Sequence, residues 1–133
     1  MMKSAPRTEA ATVLLVDEDL EQCLNCKTKL ESQGYRVVCT HSGREALAIF
    51  SCEKIDLVVA DVQLPDMGGF DLIGTLASLR LPIPIVVNTS DAAFQFSFRS
   101  WAADAIIAKS PDCTELALKI AALLQAQAPQ YVH

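Results

Sequence analysis

The stretch Asp56-Leu57-Val58-Val59-Ala60-Asp61-Val62-Gln63-Leu64-Pro65-Asp66-Met67-Gly68-Gly69 decides the fold. A short apolar run ends on the carboxylate of Asp61. A loop follows, with Pro65 four residues on and Gly69 eight residues on. Such a run reads as a buried strand that carries an aspartate out of its C-terminal end. In open parallel sheets the ligand site lies there, beyond the carboxyl ends of the strands. Three other apolar runs also end in polar side chains, at Asp17-Glu18, Thr89 and Lys109. Segments far apart in sequence thus aim acids, a hydroxyl and an amine at one edge.

Working outward, Thr12 to Val16 is β-branched and apolar and reads as the first strand. Asp19 to Gln33 carries Leu20, Cys23, Leu24, Cys26 and Leu30 on one stripe and stops at Gly34, which predicts a helix with a glycine stop. Tyr35 to Thr40 is a second strand. Ser42 and Glu45 fit a capping box, and Ala46, Leu47 and Phe50 give the helix behind it an apolar face. Asp56 to Ala60 is the third strand, and Phe70, Ile73, Leu76 and Leu79 mark a third helix. Ile85 to Asn88 follows a loop bracketed by Pro82 and Pro84. Asp91 to Trp101 is a fourth helix, with Phe94, Phe98 and Trp101 on one face and Phe96 off it. Ala105 to Ala108 is the fifth strand. Asp112 and Glu115 open a last helix, with Leu116, Ile120, Leu123 and Leu124 facing inward.

Five strands alternating with five helices predict a doubly wound, five-stranded parallel sheet in a three-layer α/β/α sandwich, since continuous apolar strands are covered on both faces. At 133 residues the chain is one domain. We expect a flexible N-terminal segment at 1–11, the domain at 12–125 and a tail at 126–133. The net charge of −5 argues against general nucleic-acid or anionic-membrane binding. No apolar run approaches the roughly 20 residues of a spanning helix, and the polar start lacks the core of a signal peptide. These features predict a cytoplasmic protein. The five cysteines, an odd number, then read as free thiols. Cys23 and Cys26 match C-x-x-C, but a zinc site needs two further ligands, so they read as small apolar residues on a helix face.

The order Val16-Asp17-Glu18-Asp19, Asp61 with Pro65 and Gly69, Asn88-Thr89-Ser90, and Ala103-Asp104 leading to Lys109 resembles the receiver domain of two-component response regulators. The resemblance covers about Thr12 to Leu124 and implies the flavodoxin-like strand order 2-1-3-4-5. It implies that Asp61 is the phosphoacceptor, whose carboxylate takes a phosphoryl group as an acyl phosphate. The donor would be a histidine kinase or a histidine phosphotransfer protein. Thr89 and Lys109 would hold the phosphoryl oxygens. Asp17, Glu18, Asp61 and the backbone carbonyl of Gln63 would bind Mg²⁺ or Mn²⁺. The face of the fourth helix, fifth strand and fifth helix would switch and meet a downstream protein target or output domain. The family implies signalling rather than enzymatic turnover, with only self-phosphotransfer and autodephosphorylation, in a monomer or weak homodimer.

Three positions depart from the pattern. Glu18 stands where aspartate is usual. Ser110 stands where a proline with a cis bond usually follows the lysine. Ile106 stands where many receivers carry Tyr or Phe. Two other readings compete. A pseudo-receiver would keep the fold as a binding module without phosphoryl turnover. An aspartate-based phosphatase would use Asp17 as nucleophile in its D-x-D run, but leaves the Asp61–Gly69 loop unexplained. The chain end at Ala128 to His133 reads as a natural terminus and favours a standalone adapter.

Overall fold

The computed structural model describes residues 10–79, 83–90 and 103–127. The expected helix over 91–101, with Phe96 and Trp101, and both chain ends lie outside them. Strands β1 (Thr12–Val16), β2 (Arg36–Thr40), β3 (Leu57–Ala60), β4 (Ile85–Thr89) and β5 (Ala105–Ala108) form one sheet in the order β2-β1-β3-β4-β5. Every pairing is parallel. The described helices are α1 (Leu20–Glu31), α2 (Gly43–Cys52), α3 (Gly69–Ser78) and α4 (Thr114–Gln127).

Strand alternation divides the apolar residues between two faces. Val13, Leu15, Leu57, Val59 and Val86 point toward Cys23, Cys26 and Leu30 of α1 and Leu116 and Ile120 of α4. Leu14, Val16, Val58, Ile85 and Val87 point toward Ala46 of α2 and Leu72, Ile73 and Leu76 of α3. Leu14, Leu57, Leu72 and Ile120 are fully buried, and each such side chain is worth about 2 kcal/mol of transfer free energy. The sheet is therefore covered on both sides, and Asp17, Asp61, Thr89 and Lys109 emerge together from one of its ends.

Helix ends follow the sequence with instructive differences. Asp19 caps α1 by accepting the N–H groups of Glu21 and Gln22 at 3.1 and 3.2 Å. Gly34 adopts φ +97°, the left-handed backbone that ends the turn after α1. Ser42 caps α2 through the Glu45 N–H at 3.1 Å. The reciprocal half of the expected capping box is not made. Glu45 instead accepts from the Thr40 hydroxyl and from the His41 N–H, because the buried Thr40 offers a donor closer to its carboxylate.

The cysteine expectation needs correction. Cys26 on α1 and Cys113, the residue before α4, are joined in a disulfide with Cα atoms 5.6 Å apart across 87 residues of sequence. Cys23, Cys39 and Cys52 are free. The odd count left room for a pair, and the packing of α1 against α4 on one sheet face brings these two together. A closure of this length contributes about 4.6 kcal/mol in the chain-entropy picture.

Candidate functional site

Three strand ends place the central groups. Asp17 follows β1 directly, and its N–H donates to Thr40 O at 3.0 Å, continuing the sheet ladder by one residue. Asp61 follows β3 in the same way, with its N–H on Val16 O at 2.9 Å. Lys109 follows β5, with its N–H on Thr89 O at 2.9 Å. Ladder hydrogen bonds thus fix each backbone where its side chain leaves the sheet. Asn88 reinforces the arrangement by donating from Nδ2 to Ile107 O at 3.0 Å.

The side chains converge on one ammonium. Lys109 Nζ lies 2.6 Å from Asp61 Oδ2 and 2.8 Å from Asp17 Oδ2. The other oxygen of Asp61 accepts the Val62 N–H at 2.6 Å and the Gln63 N–H at 3.4 Å. The other oxygen of Asp17 accepts the Asp19 N–H at 2.9 Å. Both aspartates are nearly buried, with residue exposures of 7% and 8%. Burial pushes the Asp17 carboxyl above the ordinary aspartate range, against the pull of Lys109 and the Asp19 N–H. Burial also draws the Lys109 ammonium down, but its bonds and proximity to Asp17 and Asp61 outweigh that and hold it above ordinary lysine. The charge balance of the triad is one positive against two negative.

Thr89 is buried at the end of β4, where it pairs in register with Ala108 beside Lys109. Gln63 lies in the loop after Asp61, where it forms an isolated antiparallel bridge with Gly68. Glu18 is exposed, and among the described residues no three or more His, Cys, Asp and Glu side chains gather as a metal cluster. What gathers is the pair Asp17 and Asp61, whose hard oxygens face a common point. That donor set fits Mg²⁺, which takes one or two carboxylates and keeps several waters. No described peptide bond is cis, so the chain passes from Lys109 into Ser110 in the trans form. Ile106 is half-buried and packs among the core residues on the α2–α3 face.

The sequence reading missed two residues that hold this edge. Asp66 accepts the N–H groups of Gly43 and Arg44 at 2.8 and 2.9 Å. It thereby fastens the loop after Asp61 to the N-terminus of α2, and those bonds hold its carboxyl below the ordinary range. Its neighbour Met67 packs so closely on Gly43 that a Cβ there would lie 2.4 Å from the Met67 Cγ and Sδ. Gln22 of α1 donates from Nε2 to Ser110 O at 3.4 Å, tying α1 to the turn after Lys109. Asp66 directly after Pro65 was the visible sign of a capping loop, but its partners lie 22 and 23 residues earlier.

Comparison with known proteins agrees with this geometry. The family profile described as "Response regulator receiver domain" matches residues 13–121. The response regulator SaeR of Staphylococcus aureus (strain USA300) is 33% identical over 78 residues, 59% of this chain and 34% of SaeR. The chain thus matches about a third of the length of the curated relatives. The solved response regulator TrrA of Thermotoga maritima, in complex with Mg²⁺-BeF, superposes with a TM-score of 0.80 at 28% identity, covering 85% of this chain and 98% of TrrA. A CheY-like receiver domain protein of Methanospirillum hungatei JF-1 gives a TM-score of 0.81 at 31% identity, covering 90% and 97%.

Proposed function

Because the chain belongs to the response regulator receiver domain family, we propose that it is the phosphoacceptor of a two-component relay, with Asp61 as the residue phosphorylated. The observation that carries this reading is the single ammonium of Lys109 held between Asp61 and Asp17 at 2.6 and 2.8 Å. The donor is a histidine kinase or histidine phosphotransfer protein. An Asp61 carboxylate oxygen attacks phosphorus, the P–N bond of the phosphohistidine breaks, and the imidazole leaves with a proton. The Val62 and Gln63 N–H groups hold Asp61 Oδ1 and so orient the carboxylate. Lys109 then moves its bond from Asp61 onto a phosphoryl oxygen, and the Thr89 hydroxyl supplies a second donor.

Asp17, Asp61 and the Gln63 carbonyl would hold Mg²⁺ or Mn²⁺, with Glu18 at the outer rim. The ion would neutralise charge shared by the carboxylates and the phosphoryl group. The crowding of Asp17 and Asp61 supports that need, since like charges at close range repel. Among the described residues no helix is long and apolar enough to cross a membrane, which accords with a cytoplasmic setting. The downstream partner is a protein target or output domain.

Incubating the chain with Mg²⁺ and acetyl phosphate, then weighing it intact, tests the reading. We expect one added phosphoryl group, lost in Asp61→Asn and blocked by EDTA. The exposed position of Glu18 favours a second reading, a binding module without turnover. No mass gain under these conditions supports that module. Continuous phosphate release that depends on Asp17 supports a phosphatase instead.

A further inference from the structure

We propose that Cys26 and Cys113 form a reversible thiol–disulfide site that sets how firmly Lys109 is held, and so couples thiol redox state to phosphoryl acceptance. The coupling rests on the phosphoacceptor reading above; the redox site does not.

Placement carries the argument. Lys109 begins a short turn, Ser110-Pro111-Asp112, that ends at Cys113. The disulfide fastens the far end of that turn to α1. Gln22, one helical turn before Cys26, fastens the near end through Ser110 O. Its Nε2 also lies 3.5 and 3.8 Å from the Cys26 and Cys113 sulfurs. The turn is thus pinned to α1 at both ends, and the ammonium at its start is the one between Asp17 and Asp61. Cys113 holds φ 55°, a left-handed conformation that non-glycine residues seldom adopt. Such a backbone persists where its surroundings fix it, so cutting the bridge gives the turn somewhere to relax. A small hollow lined by Asp17, Gln22, Cys23, Cys26, Asp61 and Asn88 lies between bridge and site.

Chemistry and setting agree. A bridge in a cytoplasmic protein is most often transient or redox-sensing rather than a permanent staple. Both cysteines are buried, while Pro111 and Asp112, which directly precede Cys113, are exposed. Exchange therefore proceeds when the turn lifts. One cysteine thiolate attacks a low-molecular-weight disulfide such as glutathione disulfide and releases one glutathione thiolate. The second cysteine thiolate attacks the protein sulfur of that mixed disulfide and releases the other. Two protein thiols are oxidised, one glutathione disulfide is reduced to two thiols, and the two cysteine protons pass to them. A second pair of thiols lies between α1, which carries Cys23, and β2, which carries Cys39. The Cys39 thiol donates to Cys23 O at 3.7 Å, and the Cys23 thiol donates to Leu15 O at 3.9 Å.

The test equilibrates the full chain in glutathione buffers from fully reduced to fully oxidised, quenches by acid and alkylation, and maps peptides. The initial rate of phosphorylation by acetyl phosphate with Mg²⁺ is read on the same samples. We expect a Cys26–Cys113 peptide in the oxidised sample that disappears on reduction, and phosphorylation about fivefold slower in the reduced form, the low end of ordinary coupling between sites. Cys26→Ala and Cys113→Ser should match the reduced rate at every glutathione ratio, and Cys52→Ser should respond like the wild type. Should either bridge variant fail to fold, the reduced and oxidised wild-type samples still decide the matter. Absence of the cross-linked peptide in excess glutathione disulfide overturns the site. Equal rates in the two states overturn the coupling. Lack of phosphorylation in both states removes the phosphoacceptor reading and the coupling with it, while the peptide still judges the bridge.

Discussion

Replacing Lys109 by Met tests the electrostatic centre of the site directly. Met keeps most of the length and apolar stem and removes the charge that bridges Asp17 and Asp61 at 2.8 and 2.6 Å. The two carboxylate side chains are each only 10% exposed, so water compensates the bare carboxylates poorly. Removing one partner of a buried pair costs about 3–5 kcal/mol. A limit comes from protonation: a carboxyl of ordinary pKa near 3.9 takes a proton at pH 7 at a cost of about 4 kcal/mol. Asp17, already pushed upward by burial, takes it for less. The expected loss is therefore about 3 kcal/mol at pH 7, read as a lower urea midpoint at constant slope. The sign with pH is fixed by Lys109, whose pKa is raised in the folded state. A raised lysine stabilises below its unfolded pKa and loses that contribution as pH rises through the folded pKa. The gap between wild type and variant should thus hold from neutral pH to about 10 and close only in stronger alkali. Excess Mg²⁺ should recover part of the loss in the variant. A destabilisation under about 1 kcal/mol at pH 7, with no pH dependence above 10, would refute the reasoning.

Two further outcomes follow from the same coordinates. Asp17→Asn removes a carboxyl whose folded pKa is raised, mainly by burial; such a group stabilises at low pH and loses that contribution as pH rises through its folded pKa, so urea midpoints should show the variant at least as stable as wild type at pH 7, with the advantage vanishing toward pH 4. Gly43→Ala sets a methyl 2.4 Å from Met67 atoms and should lower stability by about 1 kcal/mol, overpacking offset in part by helix propensity; combining it with Met67→Ala should restore much of that, and strict additivity in the double-mutant cycle would deny the contact.

Much of this site could be read from the chain because its parts lie at strand ends, and strands announce themselves. Thr12–Val16 and Ala105–Ala108 have the bounds that their apolar runs predict. Asp61 and Lys109 each follow such a run by one residue, so the sheet order alone brings them to one edge. The contacts that hold the edge were harder to see. Glu45 satisfies both a capping-box pattern and a hydroxyl contact, and only the position of buried Thr40 decides between them. Asp66 reads as an ordinary loop acid until α2 is placed beside it. The Cys26–Cys113 bridge depends on α1 and α4 sharing one face of the sheet, a fact of winding rather than of local pattern. Counting cysteines could not supply it.

On the proposed reading, the charge balance explains why the site needs both its lysine and a cation. Asp17 and Asp61 together outweigh Lys109 by one negative charge in the resting arrangement. The acyl phosphate carries nearly two negative charges at neutral pH in place of the one that Asp61 loses, so the imbalance grows by about one. Lys109 cannot neutralise both the phosphoryl group and Asp17, for one ammonium carries a single positive charge. When it turns to the phosphoryl oxygen, Asp17 is left buried, charged and short of a partner, which is the costly condition its raised pKa already reports. A divalent ion held by Asp17 would relieve that condition by supplying positive charge. The same reasoning makes the turn after Lys109 the natural control point. Whatever fixes Ser110 to Cys113 against α1 decides how readily the ammonium lets go of one aspartate while staying aimed at the other.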